Sequence, residues 1–233
     1  AGTVPGFGVL LRSAGFAETI NAGPDVQYDP VSGNFESATL YYLDNGDLHK
    51  VTGCRGTVSW SLGRGALPTF TFTFTGWYHT PGTAGAFAIN TSEFQVPLPV
   101  TNTNTPTYTL GGYSPRAESL SMDMQNNVVH RNVVGQESVI ITDRSPNGQL
   151  TIEADDVATK NWYQTVESHN GVTKQALQIV HGTTAGNIIQ IDAPLVQLSS
   201  ITPQDSDGIQ VLNMNAQLLP SDAGDDEIKI TIK

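Results

Sequence analysis

The segment PTFTFTFTG (68–76) alternates three phenylalanines with four threonines between a proline and a glycine. A period of two belongs to a strand, so Phe70, Phe72 and Phe74 share one face while Thr69, Thr71, Thr73 and Thr75 share the other. GTVSWSL (56–62) repeats the pattern and sets Val58, Trp60 and Leu62 against Thr57, Ser59 and Ser61. Before it, SATLYYL and LHKVTG flank Asn45–Gly46, which predicts a hairpin over 37–53. SLSMDMQ (119–125) reads as a strand, and SVIITDRSPNGQLTIEA (138–154) as a second hairpin about Asn147–Gly148. QALQIVHGTTAGNIIQIDAP (175–194) predicts two strands joined by a glycine-containing loop. Further strands are expected at 209–219 and 227–232, around the acidic loop 220–227. Only DDVATKNWYQTVES (155–168) predicts a helix, capped by Asp155 or Asp156, with Val157, Trp162 and Val166 along one side. The stretch 80–115, rich in Pro, Gly, Thr and Asn, predicts long loops with one or two short strands and a connection between domains.

Composition agrees with an all-β globular chain: 233 residues, 38% hydrophobic, 14% charged, with 23 glycines and 13 prolines. The formal net charge of −11 disfavours unspecific attraction to nucleic acid or anionic lipid. Cys54 is the single cysteine, so neither an intramolecular disulfide nor a cysteine zinc site is expected, and a reducing compartment is. No apolar run approaches the ~18 residues that span a membrane. The opening AGTVPGFGVLL lacks the basic segment and long apolar core of a secretory signal, and Asn90–Thr91–Ser92 is read as a chance sequon.

The two halves can be laid over each other. Val58, Trp60, Gly63, Phe70 and Phe72 match Leu177, Ile179, Gly182, Ile189 and Ile191 at one offset of 119 residues. Ser37 and Gly46 match Ser138 and Gly148 at offsets of 101 and 102, and the jump corresponds to the helix expected near 155–171. This order of matches predicts a tandem duplication, with domains at 1–113 and 114–233. The alternative is one large sandwich whose strands resemble each other.

Catalytic chemistry finds little support. His49, His79, His130, His169 and His181 are scattered, with no metal-ligand spacing among them. Asp205–Ser206–Asp207–Gly208 resembles part of a calcium loop, but Pro203 holds the first ligand position and Met214 the twelfth, so a turn is expected. Asp222, Asp225, Asp226 and Glu227 read as a solvated loop with at most weak attraction for a cation. No nucleophile elbow or phosphate-cradling glycine loop is present. No cofactor or metal is expected, and the chain does not read as an enzyme.

Residues 34–78, NFESATLYYLDNGDLHKVTGCRGTVSWSLGRGALPTFTFTFTGWY, resemble the major tail (tail tube) proteins of long, non-contractile-tailed bacteriophages. The resemblance rests on the Asn45–Gly46 turn, His49–Lys50, the Gly53–Cys54–Arg55–Gly56 turn and the Pro68–Gly76 strand that ends in an aromatic. Residues 118–232 are similar to a tail tube domain as well. The resemblance implies an all-β chain of two tandem β-sandwich or barrel domains, with one flanking helix in the second. Inner strands would pair between subunits into a β-barrel around a channel. It implies stacked rings of this chain, trimeric and pseudo-hexameric or alternatively hexameric, enclosing a tape-measure protein and later conducting DNA without specific binding. Tail terminator and tail-tip proteins would be the other partners. The place would be the virion tail, with the host cytoplasm before assembly and no membrane. The first half departs from the family in showing no obvious helix. Rival classes are a secreted β-sandwich adhesin or carbohydrate-binding module, which should expose an aromatic cluster, and a β-sandwich hydrolase.

Strands ~4.8 Å apart and tilted ~40° take ~6 Å of circumference each, so a wall of radius ~20 Å needs on the order of 20 strands. Six domains of about four strands supply them, and three duplicated chains suffice. A conduit for DNA must be wet and must not hold phosphate. Thr57, Ser59, Ser61, Thr69, Thr71, Thr73 and Thr75 offer hydroxyls without cations, and Gln178, Gln190 and Asp192 are their expected counterparts. These ten are the candidate lumen-lining residues. An ordinary solvent face, where threonine is favoured by strand propensity alone, is the other reading.

Overall fold

Where the chain alternates it forms strands, and among the described residues they all pair antiparallel. The computed structural model describes residues 2–85, 91, 94–167 and 173–233. Helix α1 (Gly8–Ser13) precedes the hairpin of β1 (Phe16–Asn21) and β2 (Asp25–Pro30). β3 (Ala38–Asp44), β4 (Asp47–Gly63) and β5 (Thr69–Thr83) follow, then β6 (Thr107–Leu110) and β7 (Ala117–Asp123). β8 (Asn127–Val133), β9 (Gln136–Asp143) and β10 (Asn147–Glu153) lead to α2 (Trp162–Val166). β11 (Lys174–His181), β12 (Ile189–Ser206), β13 (Ile209–Leu218) and β14 (Lys229–Ile232) close the chain. The asparagine of the sequon (Asn90), Ser92, His169 and the end of the expected helix at Ser168 lie outside the described residues.

Twelve strands form one continuous sheet, and the long strand β12 folds it into two layers. From Val196 to Ser206, β12 pairs with β13 and completes a layer ordered β5-β4-β7-β10-β13-β12. From Ile189 to Asp192 it pairs with β14 and β11 in a second layer, β6-β11-β12-β14-β2-β1. Between these parts the register with β11 shifts, one residue of β11 (Ala176) facing two of β12 (Pro194 and Leu195), which is a β-bulge that bends the strand. The apolar faces of the layers meet: Trp60, Leu62 and Phe70 of one and Ile179, Ile189 and Ile191 of the other line a common cleft.

One apolar cluster fills the sandwich from Leu11 to Ile232, with Leu150, Ile152, Met214, Leu177 and Ile230 fully buried. Each such aliphatic side chain contributes about 1.5–3 kcal/mol. Of the alternating apolar sets, Val58, Trp60, Leu177, Ile179 and Ile191 are buried, whereas Phe70, Phe72, Phe74 and Ile189 are half-buried. The phenylalanines lie on β5, the border strand of its layer, and stack in a ladder, Phe70 on Phe72 at 6.3 Å and Phe72 on Phe74 at 6.0 Å.

Residues 1–113 and 114–233 are joined by the pairs β4–β7, β6–β11 and β2–β14, so the core is common to both. Hairpins β4–β5 and β11–β12, matched at the 119-residue offset, stand in opposite layers. Trp60 pairs with Phe70, but Ile179 pairs with Ile191, a two-residue difference that keeps every apolar side chain on the core face.

Asn45–Gly46 turns as expected, with φ of 47° and 93° suited to a two-residue hairpin. Three expectations are corrected. Asn147–Gly148 is not a turn: β9 pairs with β8 around Gly135, while β10 lies between β7 and β13. Gly148 is instead required by close strand approach, since a Cβ there would stand 2.1 Å from the Ser121 carbonyl oxygen. Gly53–Arg55 is a bulge inside β4 rather than a turn, with Gly53 at φ 61° and the register shifting between Thr52 and Arg55. The expected helix at 155–168 shrinks to Trp162–Val166, capped by Asn161, whose side chain accepts from the Gln164 amide. Asp155 is engaged elsewhere, by Tyr113 and Arg116, and Asp156 accepts from the Ala158 amide in a turn. Gly148→Ala should destabilise the fold by about 1–3 kcal/mol, because backbone rather than a flexible side chain must yield. A denaturant midpoint unchanged from the parent would show that β7 and β10 separate more easily than this.

Candidate functional site

The face of the first layer turned away from the core is polar from border to border. On β4 and β5 the cross-strand pairs are Thr57 with Thr73, Ser59 with Thr71 and Ser61 with Thr69. Register carries the same face to Ser119, Ser121 and Asp123 on β7, because Ser61 is opposite Ser121 and Ser59 opposite Asp123. It continues through Asn147, Gln149 and Thr151 on β10 and Asn213, Asn215 and Gln217 on β13. Gln197 and Ser199 on β12 complete it. The layer curves so that this face is concave: Ser59, Thr71, Ser121, Gln149, Ser199 and Asn215 border one open groove of about 670 Å³.

Among these positions Asp123 is the single ionisable side chain, and it accepts from Thr57 Oγ1 at 3.3 Å and the Gln125 amide at 2.7 Å. Ser61 and Thr69 hydroxyls lie 3.1 Å apart, and Gln149 donates to Asn215 at 3.3 Å. Such a surface binds water through neutral donors and acceptors and offers no fixed cation to a phosphate.

The structure therefore gathers Thr57, Ser59, Ser61, Thr69, Thr71 and Thr73 on one wall. Thr75 stands at its end, opposite Arg55, which donates to the Phe35, Glu36 and Val139 carbonyls. Gln178, Gln190 and Asp192 are not on this wall. They lie on the outward face of the second layer, where Asp192 accepts from both glutamines at 2.7 Å and Lys233 donates to Gln190 at 2.6 Å. The polar face of β4 and β5 continues instead onto β7, β10 and β13. Its signal was in the sequence as SLSMD, NGQLT and NMNAQ, three more alternating runs.

In the acidic loop two carboxylates are taken up by a cation of the chain itself. Arg144, drawn in behind it, donates to Glu227 at 2.9 Å, to Asp225 at 2.9 Å and to the Val31 carbonyl at 2.8 Å. Burial raises the Asp225 pKa, but hydrogen bonds from Ser32 and Arg144 outweigh it and hold the carboxyl below its ordinary value. Among the described residues no group of three His, Cys, Asp or Glu side chains is placed to hold a metal ion, and no helix is long and apolar enough to cross a membrane.

Beside the β4–β5 turn, the segment 94–105 is pinned by His181. Its Nε2 donates to the Leu98 carbonyl at 3.1 Å, and its Nδ1 meets Thr105 Oγ1 at 2.9 Å. Burial lowers the His181 pKa, outweighing the opposite pull of the Leu98 carbonyl. The folded state thus binds the proton less readily than the unfolded chain. The contribution is complete above the unfolded value of about 6.5 and is lost as pH falls through the folded value. The melting temperature should fall as pH drops below about 6.5, and His181→Gln should flatten that part of the profile. A profile identical in the variant would remove His181 as the cause.

No curated protein matches the chain. Among solved structures, the tube-terminating cap of the anti-feeding prophage, determined by cryo-electron microscopy, is similar at 19% sequence identity and a TM-score of 0.43, covering 63% of this chain and 100% of that one. The profile of the phage tail tube protein family matches residues 3–228, nearly the full length. The chain belongs to the phage tail tube protein family.

Proposed function

We propose that the concave polar face is the wall of the channel in a tail tube built from stacked rings of this chain, in a phage with a long, non-contractile tail. One observation carries the reading: six adjacent strands present sixteen neutral polar or hydroxyl-bearing positions and one carboxylate, with no lysine or arginine among them. The tail type rests on the resemblance of residues 34–78. The tube encloses a tape-measure protein before infection and conducts DNA during ejection.

Among the described residues neither border of the layer has a second strand partner, although α2 packs against β12. β5 has a partner only in β4, and β12 beyond Gln197 has a partner only in β13. Such borders invite pairing with another chain. In an antiparallel layer of six strands the two border strands run in opposite directions. The β5 border of one copy can therefore meet the Leu198–Ser206 border of the next as one more antiparallel pair, and rotation repeats the step until the ring closes. Three copies give about 18 strands, and at ~6 Å each the wall has a radius of about 17 Å. Six copies would double it to about 34 Å. We therefore favour three-copy rings.

Electron microscopy and mass measurement of the concentrated protein test this. Rings or tubes with three copies per ring are the expected result. Six-copy rings would defeat the stoichiometry and leave the tube. A strictly monomeric protein at high concentration and in the virion defeats the tube itself. Exposed Tyr42, Trp77 and Tyr78 also suit the rival reading, a carbohydrate-binding module, since aromatic faces stack on sugars. Saturable binding to a glycan array by a protein that never forms rings would favour that alternative.

A further inference from the structure

We propose that helix α2 of each copy is the lid on the phenylalanine row of the next copy, so that the apolar core runs on through every subunit boundary. The proposal rests on the ring reading above, which pairs the two borders by their backbones and leaves the side chains behind the wall unassigned.

The phenylalanines of β5 are the unfinished part of the core. Phe70, Phe72 and Phe74 alternate with the wall threonines and so lie on the core side of the layer, yet all three are only half-buried. Their rings stack on one another, and the row runs on to Phe7, whose ring stands 5.7 Å from that of Phe70. The cause is the place of β5 in the sheet. It is a border strand, so the row is packed from one side and open on the other. At the Pro68 end the opening deepens into an almost wholly apolar cleft of about 50 Å³ between Phe70 and Ile189. Aromatic area left in water this way is costly.

The opposite border carries the complement. Of the strands, α2 packs chiefly against β12, and Trp162 at its start is buried in the core, so the helix sits on the core side of the layer. A helix with its side chains is about 10 Å across, roughly twice the spacing of about 4.8 Å between neighbouring strands. Seated on a border strand, α2 therefore overhangs the place where the next strand of a ring lies. Tyr163 and Val166 of the helix and Ile201 of β12 are only half-buried against the core, and Val157, in the turn before the helix, is exposed.

The wall faces of two adjoining copies turn to the same channel, so their core faces also share one side. The β5 border, laid antiparallel against Leu198–Ser206, thus brings its phenylalanines under the overhang of the neighbour's α2. Neither feature can meet its complement within one copy, because four strands stand between the two borders. The union is heterologous: each copy gives a helix at one border and takes one at the other. A second copy of this chain is the occupant that carries both in equal number. An open arc leaves one row bare, so the side chains favour closure of the ring.

The experiment places p-benzoylphenylalanine, a photoreactive phenylalanine, in the full chain at Phe72 and, in a second variant, at Phe74. Each is assembled with an equal share of isotope-labelled parent chain, and circular dichroism checks the fold. After irradiation, mass spectrometry should map crosslinks from the row to labelled residues 157–166, at least tenfold above the yield at a dilution where the protein is monomeric. The same group at Thr73, on the wall, should not reach that segment. Val157→Asp, at an exposed position, should keep the melting temperature and raise the concentration needed for rings at least tenfold. Rings whose crosslinks stay within one copy, or join copies only at other segments, overturn the proposal and leave the ring reading in place. Rings of Val157→Asp at the parent's concentration overturn it as well. If the parent protein forms no rings at all, the ring reading fails first and this one with it.

Discussion

Arg144→Met should unfold the protein far more readily than any surface change, by about 3–5 kcal/mol. The guanidinium holds Glu227, which is only 6% exposed, and also the Asp225 carboxylate and the Val31 carbonyl. It thereby ties the β9–β10 junction, the end of β2 and the approach to β14 into one point. Removing the cation leaves the buried Glu227 carboxyl without its partner, and this desolvation penalty, more than the lost attraction, sets the magnitude. A melting temperature lower by on the order of 10 °C is the expected reading for a chain of this length. The double variant Arg144→Met with Glu227→Leu should recover most of the loss, because an apolar pair of similar volume replaces the ion pair. If the double variant is as unstable as the single one, the arginine acts through the Val31 carbonyl and the chain path instead.

The local part of this fold was legible, and the long-range part was not. Residues 56–76 announced both their strands and their faces, because alternation is written residue by residue and packing followed it. The Asn45–Gly46 hairpin was legible for the same reason, a left-handed pair between two extended runs. Asn147–Gly148 carries the same letters but serves another purpose. Its cross-strand neighbours, Asp123 and Met122 on one side and Gln217 and Ala216 on the other, are distant in sequence, and no local pattern names them. The hairpin β1–β2 escaped notice because its pairing with β14 joins the two ends of the chain. The same blindness divided the candidate wall. Gln178, Gln190 and Asp192 alternate as the threonines do, but the bend in β12 sends them to the other layer and brings Gln197 and Ser199 to the wall. The helix was overread because Asp155, a good cap by type, is held by Tyr113 and Arg116. Lys160, expected within the helix, lies over the Trp162 ring at 4.8 Å before it begins.

Thr71→Lys with Thr73→Lys should leave the subunit folded and the rings intact, yet hold DNA inside the tube at low salt. Both threonines are exposed on the concave face, so the cost of the change to folding is within about 0.5 kcal/mol. On the proposed assembly every ring repeats the pair around the channel, turning a neutral wall into a belt of ammonium groups. Each new contact with phosphate releases a counterion, so affinity depends on salt with a slope of about −0.9 in log units per contact. Many weak contacts along a tube add up to strong retention, and ejection should slow by at least tenfold in low salt and recover as salt rises. Thr71→Gln with Thr73→Gln, equally wet but uncharged, should eject at the parent rate. That control separates charge from bulk, since glutamine and lysine narrow the channel by similar amounts. The measurement is the rate of DNA release from purified particles triggered in buffers of increasing salt. Release at the parent rate by assembled lysine particles, at every salt concentration, would show that these threonines do not face the DNA path.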